Sequence, residues 1–512
     1  MRVSQFSNLA LLGLVRGSVG AVVRDSAPPF TAASYHWSNE TVISFKDSPG
    51  FFNATERWDI YRPPTYSVAI TPATEADVVK AVMCPASHSF DLQSNETQVK
   101  AAQKHHLPFL ATGGRHGYST TLAELQGGLA IDLSKLNTIS IDKEAATLTI
   151  GPGVHFGEIF DPLYEAGFQI QTGTATCPGM VGVTLGGGIG RLNGLQGLVM
   201  DALISARIVI ANGTLLEVSE TSNSDLFWGV RGAGQNFGVI TSATYKVQPL
   251  YKDGVWTSVD LIIPLEKNVS YFETVSSMLP LPADLTVQST VVYNTTTNQA
   301  QLMASLVYAG PEETGLEAMA PILDLGPFIF KNVSELAWNQ VSTGSMFQID
   351  AGICANSQIF DIYGFNLKTF DAPTMSSSLQ KMADFYDEQP NARGSAIVLE
   401  TWPNEAVIAV PDDATAYPWR DATTYGMVEF RWAEVGDPVE AAANEMGREL
   451  RGDFAETSGY GNLTVYVNYA LGDESLESIY GANKLPRLAS LKAQYDPHNA
   501  FGFYHALPTS YP

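Results

Sequence analysis

Positive charge is scarce in this chain. Its 512 residues carry 29 Lys+Arg against 53 Asp+Glu, a formal net charge of −24 at pH 7. Such a surface repels phosphate, which argues against DNA, RNA and anionic membranes as partners. Cysteine is scarcer still. Only Cys84, Cys177 and Cys354 occur, which excludes a disulfide-dense scaffold and allows one intrachain bridge with a thiol left over. No apolar run of about 18 residues lies beyond the N-terminus, so no membrane span is expected. Common fingerprints are missing as well. Gly186-x-Gly188 would need a third glycine where Arg191 stands, and no Gly-Lys-Ser/Thr follows, so neither a Rossmann nor a Walker loop is present. Gly117-Tyr118-Ser119-Thr120-Thr121 lacks the second glycine of a nucleophile elbow. Cys84-x-x-x-His88 and His105-His106 have no matching second pair, so no metal site is expected.

What is present is a large apolar fraction, 45% of residues, enough to bury a core. At roughly 150 residues per domain, two to three domains are expected. Residues 1–21 resemble a secretory signal: Arg2 gives a positive start, Leu9–Val15 an apolar stretch, and Val19-Gly20-Ala21 a small-residue cleavage point. Asn-X-Ser/Thr acceptor sites at Asn39, Asn53, Asn95, Asn212, Asn268, Asn294, Asn332 and Asn462 agree with an extracellular glycoprotein.

Residues 25–65 read as an irregular arm. From Ser67 short strands and helices alternate: strands at 67–71, 107–112, 129–133, 147–150, 206–210 and 239–247, helices at 74–82, 156–166 and 225–228. Asn212-Gly213 marks a hairpin. Residues 83–100 look inserted into the helix that begins at Thr74. After residue 251 longer alternating runs at 257–263, 285–293, 301–308, 397–400, 406–410 and 426–431 indicate an antiparallel sheet. Helices at 313–323, 374–388 and 438–454 would cover it.

Two glycine-rich loops follow buried strands: Thr112-Gly113-Gly114-Arg115-His116-Gly117-Tyr118-Ser119, and Cys177 to Gly190 with Gly186-Gly187-Gly188. Successive glycines let backbone N–H groups approach a pyrophosphate. These loops, the run 225–247 (DLFWGVRGAGQNFGVITSATYKV) and the ending at 466–503 together resemble the FAD-linked oxidases of the berberine bridge enzyme type. The likeness covers most of the chain and is strongest at 107–250 and 463–505.

The resemblance implies an α+β fold. It comprises a two-subdomain FAD-binding domain of the vanillyl-alcohol oxidase / p-cresol methylhydroxylase type (22–250, core 62–250) and a substrate domain with an antiparallel sheet covered by helices (251–454). A segment at 455–512 returns to the first domain. His116 stands where the family attaches flavin covalently. Gly113, Gly114, Arg115, Gly117 and Tyr118 would surround the pyrophosphate, with Gly182, Gly187, Gly188 and Gly190 on the second side and Val239 near the adenine. Ala175 occupies the position of the family's second attachment cysteine, so one covalent link is expected. Cys177 would be a packed thiol in the flavin wall, leaving Cys84 and Cys354 as the pair for a bridge. Asn468 and Tyr469 match the pair beside the flavin ring, and Glu429 matches the strand position of the family's base.

Period two puts Met427, Glu429 and Arg431 on one face. Glu429 is then either a buried base of raised pKa or an edge-strand carboxylate paired with Arg431 or Arg420. Tyr469 is the competing base if a cation favours its phenolate. The implied activity is hydride transfer from a small alcohol, alkaloid, polyketide intermediate or sugar to FAD, with O2 returning H2O2, in a monomeric secreted protein. A dehydrogenase with another acceptor and a secreted flavin-binding glycoprotein are the alternatives.

Overall fold

The computed structural model describes residues 35–86 and 107–512. The proposed leader, the candidate metal histidines and nearly all of the candidate insertion at 83–100 lie outside them. Residues Trp37–Pro512 form the unit described below.

The arm expected at 25–65 is in part regular. Strand β1 (Val42–Phe45) pairs antiparallel with β2 (Tyr66–Thr71). Between them the helix Pro49–Thr55 begins at Ser48, whose side chain accepts from Phe51 N, with Pro49 in the first turn. Strands β3 (Phe109–Thr112) and β4 (Gly128–Asp132) complete a four-stranded sheet in the order β1-β2-β4-β3. The first glycine loop thus emerges directly from the end of β3.

A five-stranded antiparallel sheet follows. Its strands are β5 (Ile139–Asp142), β6 (Thr147–Ile150), β8 (Leu203–Val209), β9 (Leu215–Ser219) and β10 (Val239–Lys246), in the order β5-β6-β10-β8-β9. A short ribbon joins β7 (Phe168–Gln169) to β11 (Gln248–Pro249). The β8–β9 connection is the hairpin marked by Asn212-Gly213, and Gly213 has φ +79°. The helix Phe156–Ala166 packs here through Phe156, Ile159, Phe160 and Leu163, a spacing of one helical face. His155 and Glu158 box its start, and Gly167 at φ +86° ends it.

The third sheet has seven strands, all antiparallel: β12 (Val255–Ile263), β13 (Leu285–Asn294), β14 (Gln299–Tyr308), β15 (Phe330–Ala337), β16 (Asp361–Leu367), β17 (Ala396–Thr401) and β18 (Thr424–Phe430). Their order is β15-β12-β14-β13-β17-β18-β16. One face packs Val287, Leu399, Val428 and Phe430 against the helices Ala372–Glu388 and Val439–Thr457. The other face looks towards the glycine loops. The run at 406–410 is not a strand of this sheet but the helix Glu405–Ala409, because a five-residue apolar run fits either state and Pro411 cuts it short.

Helices Leu476–Tyr480 and Leu485–Tyr495 bury Ile479, Tyr480, Leu485 and Leu488 in the same core as Phe227, Val230 and Phe237. The chain end is therefore packed on the first region. Among the described residues no helix is long and apolar enough to cross a membrane.

Candidate active site

A cavity of about 510 Å³ lies between the glycine loops and the open face of the seven-stranded sheet. It runs from Val239 and Ile240 past both loops to Glu429 and Arg431.

The loop wall is made of backbone. A Cβ on Gly114 would fall 2.9 Å from Gly179 Cα, so the two loops touch main chain to main chain. Only glycine permits that approach. Gly182, by contrast, has open space beside it and lines the cavity. Gly113, Gly114, Arg115, Gly117, Tyr118 and Val239 are on the wall as well. Gly187, Gly188 and Gly190 are not. They are packed inwards, where Cβ atoms would run into Tyr417, Val199 and Thr172, and the first two have φ of +130° and +88°. These three glycines shape the chain rather than face the cavity, which corrects the expectation for the second loop.

Arg115 turns aside: its Nη1 lies 2.6 Å from Asp132 Oδ1. Arg57 takes its place. Its Nη2 donates to Gly117 O at 2.5 Å, while Nη1 is buried without a partner. Gln235 on the same wall also has a buried, unpartnered Oε1. An elongated cavity with a glycine cradle, a buried cation and orphaned polar atoms fits a dinucleotide cofactor such as FAD.

His116 stands at the end of a stack. Its ring lies 4.1 Å from Trp58 at 17°, and Trp58 lies 3.9 Å from Phe360 at 16°. The Arg431 guanidinium caps the stack 4.0 Å above Phe360. Trp58 is held by donating Nε1 to Ile353 O at 2.6 Å. Burial lowers the His116 imidazole to a pKa of about 4, so the ring is neutral.

Cys177 is not a free thiol. It forms a disulfide with Cys354, with Cα atoms 5.6 Å apart, which overturns the pairing expected for Cys84. Its Sγ lies 3.5 Å from His116 Nε2. The bridge closes 177 residues of chain and ties the second glycine loop to the segment that carries Ile349 and Ile353 onto the cavity wall. In the chain-entropy picture a closure of that length stabilises by about 5 kcal/mol.

The sheet wall presents side chains. Alternation along β17 points Ala396, Val398 and Glu400 inwards, and along β18 Met427 and Glu429, with Arg431 just beyond its end. Glu400 accepts from Tyr469 Oη at 2.7 Å and from Thr174 Oγ1 at 3.5 Å. Burial raises Glu400 to about 7, opposed by the Tyr469 hydrogen bond and the charge of Arg191. Burial and this carboxylate together push Tyr469 well above its ordinary pKa. The neighbour of Tyr469 is thus an anion-forming group, not the cation that would favour a phenolate. Asn468 donates Nδ2 to Val183 O at 3.0 Å and to Tyr466 Oη at 2.6 Å, which fixes its side chain against the loop wall.

Glu429 lies inside the sheet, because β18 runs between β17 and β16. The edge-strand reading is excluded, and so is pairing with Arg420, which binds Asp201 at 2.8 Å. Burial raises Glu429 too, against the charge of Arg431. Glu429 sits opposite Ala396, four residues from Glu400, or roughly 13 Å along the sheet. Sequence reasoning passed over Glu400, although a lone carboxylate at an inward position of an apolar strand was the available signal. Among the described residues no group of three His, Cys, Asp or Glu is arranged to hold a metal ion.

Residues 66–219 match a family model described as an FAD binding domain, and residues 465–508 one described as berberine and berberine like. The chain is 53% identical to FAD-linked oxidoreductase OXR1 of Pyricularia oryzae over 98% of both chains. It is 53% identical to FAD-linked oxidoreductase srdI of Neurospora crassa over 93% of this chain and 91% of the other. Among solved structures it resembles Physcomitrella patens BBE-like 1, with TM-score 0.77 and 20% identity over 92% of this chain and 98% of that one. A xylooligosaccharide oxidase from Myceliophthora thermophila matches with TM-score 0.75 and 23% identity over 91% and 96%. At these identities the structural likeness speaks for the fold.

Proposed function

Because the chain belongs to the FAD-linked oxidoreductases of the berberine-like family, we propose that it is a secreted oxidase that converts the carbinol of a small, apolar-bodied alcohol of secondary-metabolite type to a carbonyl. The observation that carries this reading is the Tyr469–Glu400 hydrogen bond, flanked on the sheet wall by Ile362, Val398 and Met427, with Gln288, Thr290, Glu429 and Arg431 completing that wall. The aliphatic side chains of Ile362, Val398 and Met427 suit the apolar body of a polyketide-type alcohol. FAD, when bound, supplies the hydride acceptor. The substrate hydroxyl gives its proton to Tyr469 as Tyr469 passes its own to Glu400, which leaves the alkoxide carbon ready to lose hydride. Asn468 fixes the loop wall beside the reacting carbon. O2 is the proposed final acceptor, giving H2O2.

His116 is the proposed single attachment point. Its neutral ring has the lone pair that bonding to the flavin 8α carbon requires. Ala175 offers no second nucleophile and Cys177 is engaged in its disulfide. Secretion is supported by the disulfide and by the acceptor asparagines. Asn39, Asn53, Asn212 and Asn462 are exposed, and Asn268, Asn294 and Asn332 are half-buried.

The test is anaerobic mixing of yellow holoenzyme with a panel of benzylic and allylic alcohols, amines and oligosaccharides. Bleaching by apolar alcohols, colour recovery in air and stoichiometric H2O2 are expected. Faster bleaching by sugars would overturn the substrate class, and recovery only with an added dye would overturn the oxidase assignment.

A further inference from the structure

Arg191 directly follows Gly190, whose packing on Thr172 turns the chain beneath the cavity. The residue is only 7% exposed. Nη2 donates to Ser345 Oγ at 3.1 Å and contacts Met346 Sδ at 3.0 Å, while Nη1 reaches Thr174 O at 3.5 Å. Among the described residues Arg191 takes part in no ion pair. Burying a cation without an ion-pair partner is costly, so its charge needs another account.

The charges of Glu400, Asp260 and Asp350 act on it from beyond hydrogen-bond reach, and each carboxylate has neutral donors of its own. Asp260 accepts from Ser305 Oγ at 2.7 Å and Phe347 N at 2.8 Å. Asp350 accepts from Thr176 N at 2.9 Å and Thr176 Oγ1 at 2.6 Å. Glu400 accepts from Tyr469 and from Thr174, whose backbone carbonyl meets Arg191. Thr174 therefore joins cation and carboxylate through its two ends.

We propose that Arg191 is a positioning residue for the Glu400–Tyr469 pair: its charge keeps Glu400 ionised at working pH, and its contacts with Ser345 and Met346 hold the neighbouring wall. The inference rests on the reading of Tyr469 and Glu400 as the proton acceptor. The groups that face Glu400 are Tyr469 from the C-terminal segment, Thr174 and Arg191 from the second loop region, Gln288 across on β13 and Tyr425 across on β18, with Glu429 further along β18. Tyr118 and Tyr466 lie behind Tyr469. Arg191 is the cation of this set, and Glu429 works against ionisation.

The sign is fixed. Removing a cation raises the pH at which Glu400 loses its proton, so the base form appears later. The rate of flavin reduction against pH, measured by stopped flow, should rise at a midpoint about one pH unit or more higher in Arg191→Met than in the parent, the range expected for a lost opposite charge. Arg191→Lys should return the midpoint towards the parent value. A carboxylic C=O infrared band, identified by its loss in Glu400→Gln, should grow at neutral pH in the Arg191→Met holoenzyme without any substrate. If Arg191→Met does not fold, Arg191→Gln supplies the same arm, with the midpoint again moved up. A uniform drop in rate at every pH, with no midpoint or band shift, would show a structural role only and overturn the proposal. A parent-like pH profile in Glu400→Gln would instead overturn the proton-acceptor reading, whatever Arg191 does.

Discussion

The two walls of the cavity are built on opposite principles. The glycine-loop wall offers main chain and small residues, and its close contacts, Gly114 on Gly179 above all, leave no room for alternatives. The sheet wall offers side chains on a regular ladder, where the exchange of one inward residue alters chemistry without disturbing the backbone. Binding of a constant cofactor belongs with the first kind of wall, and selection and activation of a variable substrate with the second.

The largest effect expected from this contrast lies at the seam. Tyr469→Phe and Glu400→Gln should each lower the rate of flavin reduction by roughly 10²–10⁴-fold at unchanged FAD content, the usual contribution of a positioned proton acceptor. Glu429→Gln should cost under tenfold, about 1.4 kcal/mol. If Glu429→Gln proves the more damaging, the reacting end lies beside Glu429 and Arg431 and not beside Tyr469. On the loop wall the penalty should fall on binding instead. Gly114→Ala forces the two loops apart and should release FAD and lower the melting temperature, a loss of about 1–3 kcal/mol by analogy with overpacked cores. A fully flavinylated Gly114→Ala protein with parent stability would erase the distinction between the walls.

A smaller effect concerns pH. Burial raises Asp59 and Glu400 to about 7 and Asp361 to about 6. Folded pKa values above the unfolded ones mean stability that is present in full below about pH 4 for these groups and declines as pH rises through 6–7. Asp77, held low chiefly by Ser38, Lys80, Thr74 and Thr41 against the cost of its burial, works the other way and loses its contribution only in stronger acid. Thermal scans should therefore give a higher melting temperature at pH 5 than at pH 8, and Glu400→Gln should flatten part of that slope. A melting temperature that climbs steadily from pH 5 to pH 8 would contradict these assignments.

The same contrast governs what the sequence disclosed. Loop-wall residues were legible because glycine clusters and Gly-Gly-Arg-His-Gly state a backbone requirement that few other structures share. Even so, Gly187, Gly188 and Gly190 carried no mark that they turn inwards, since packing and exposure to a cavity both demand a missing Cβ. Most strands followed from alternation and from β-branched runs, whereas the Gly167 stop of the helix Phe156–Ala166 showed itself only in the structure. Glu400 was hidden because an inward carboxylate and an outward one look alike until a register assigns the faces. Its partner Tyr469 is 69 positions away, and nothing local joins them. The Cys177–Cys354 pairing was hidden for the same reason.

That disulfide also has a consequence for the enclosure. It fastens the second glycine loop to the Ile353 side of the cavity, within 3.5 Å of His116. A covalent tether keeps two chain segments together where packing alone would let them part. The spacing of loop and segment beside the imidazole is therefore written into bonds, and reduction of one bridge is enough to hand it back to packing.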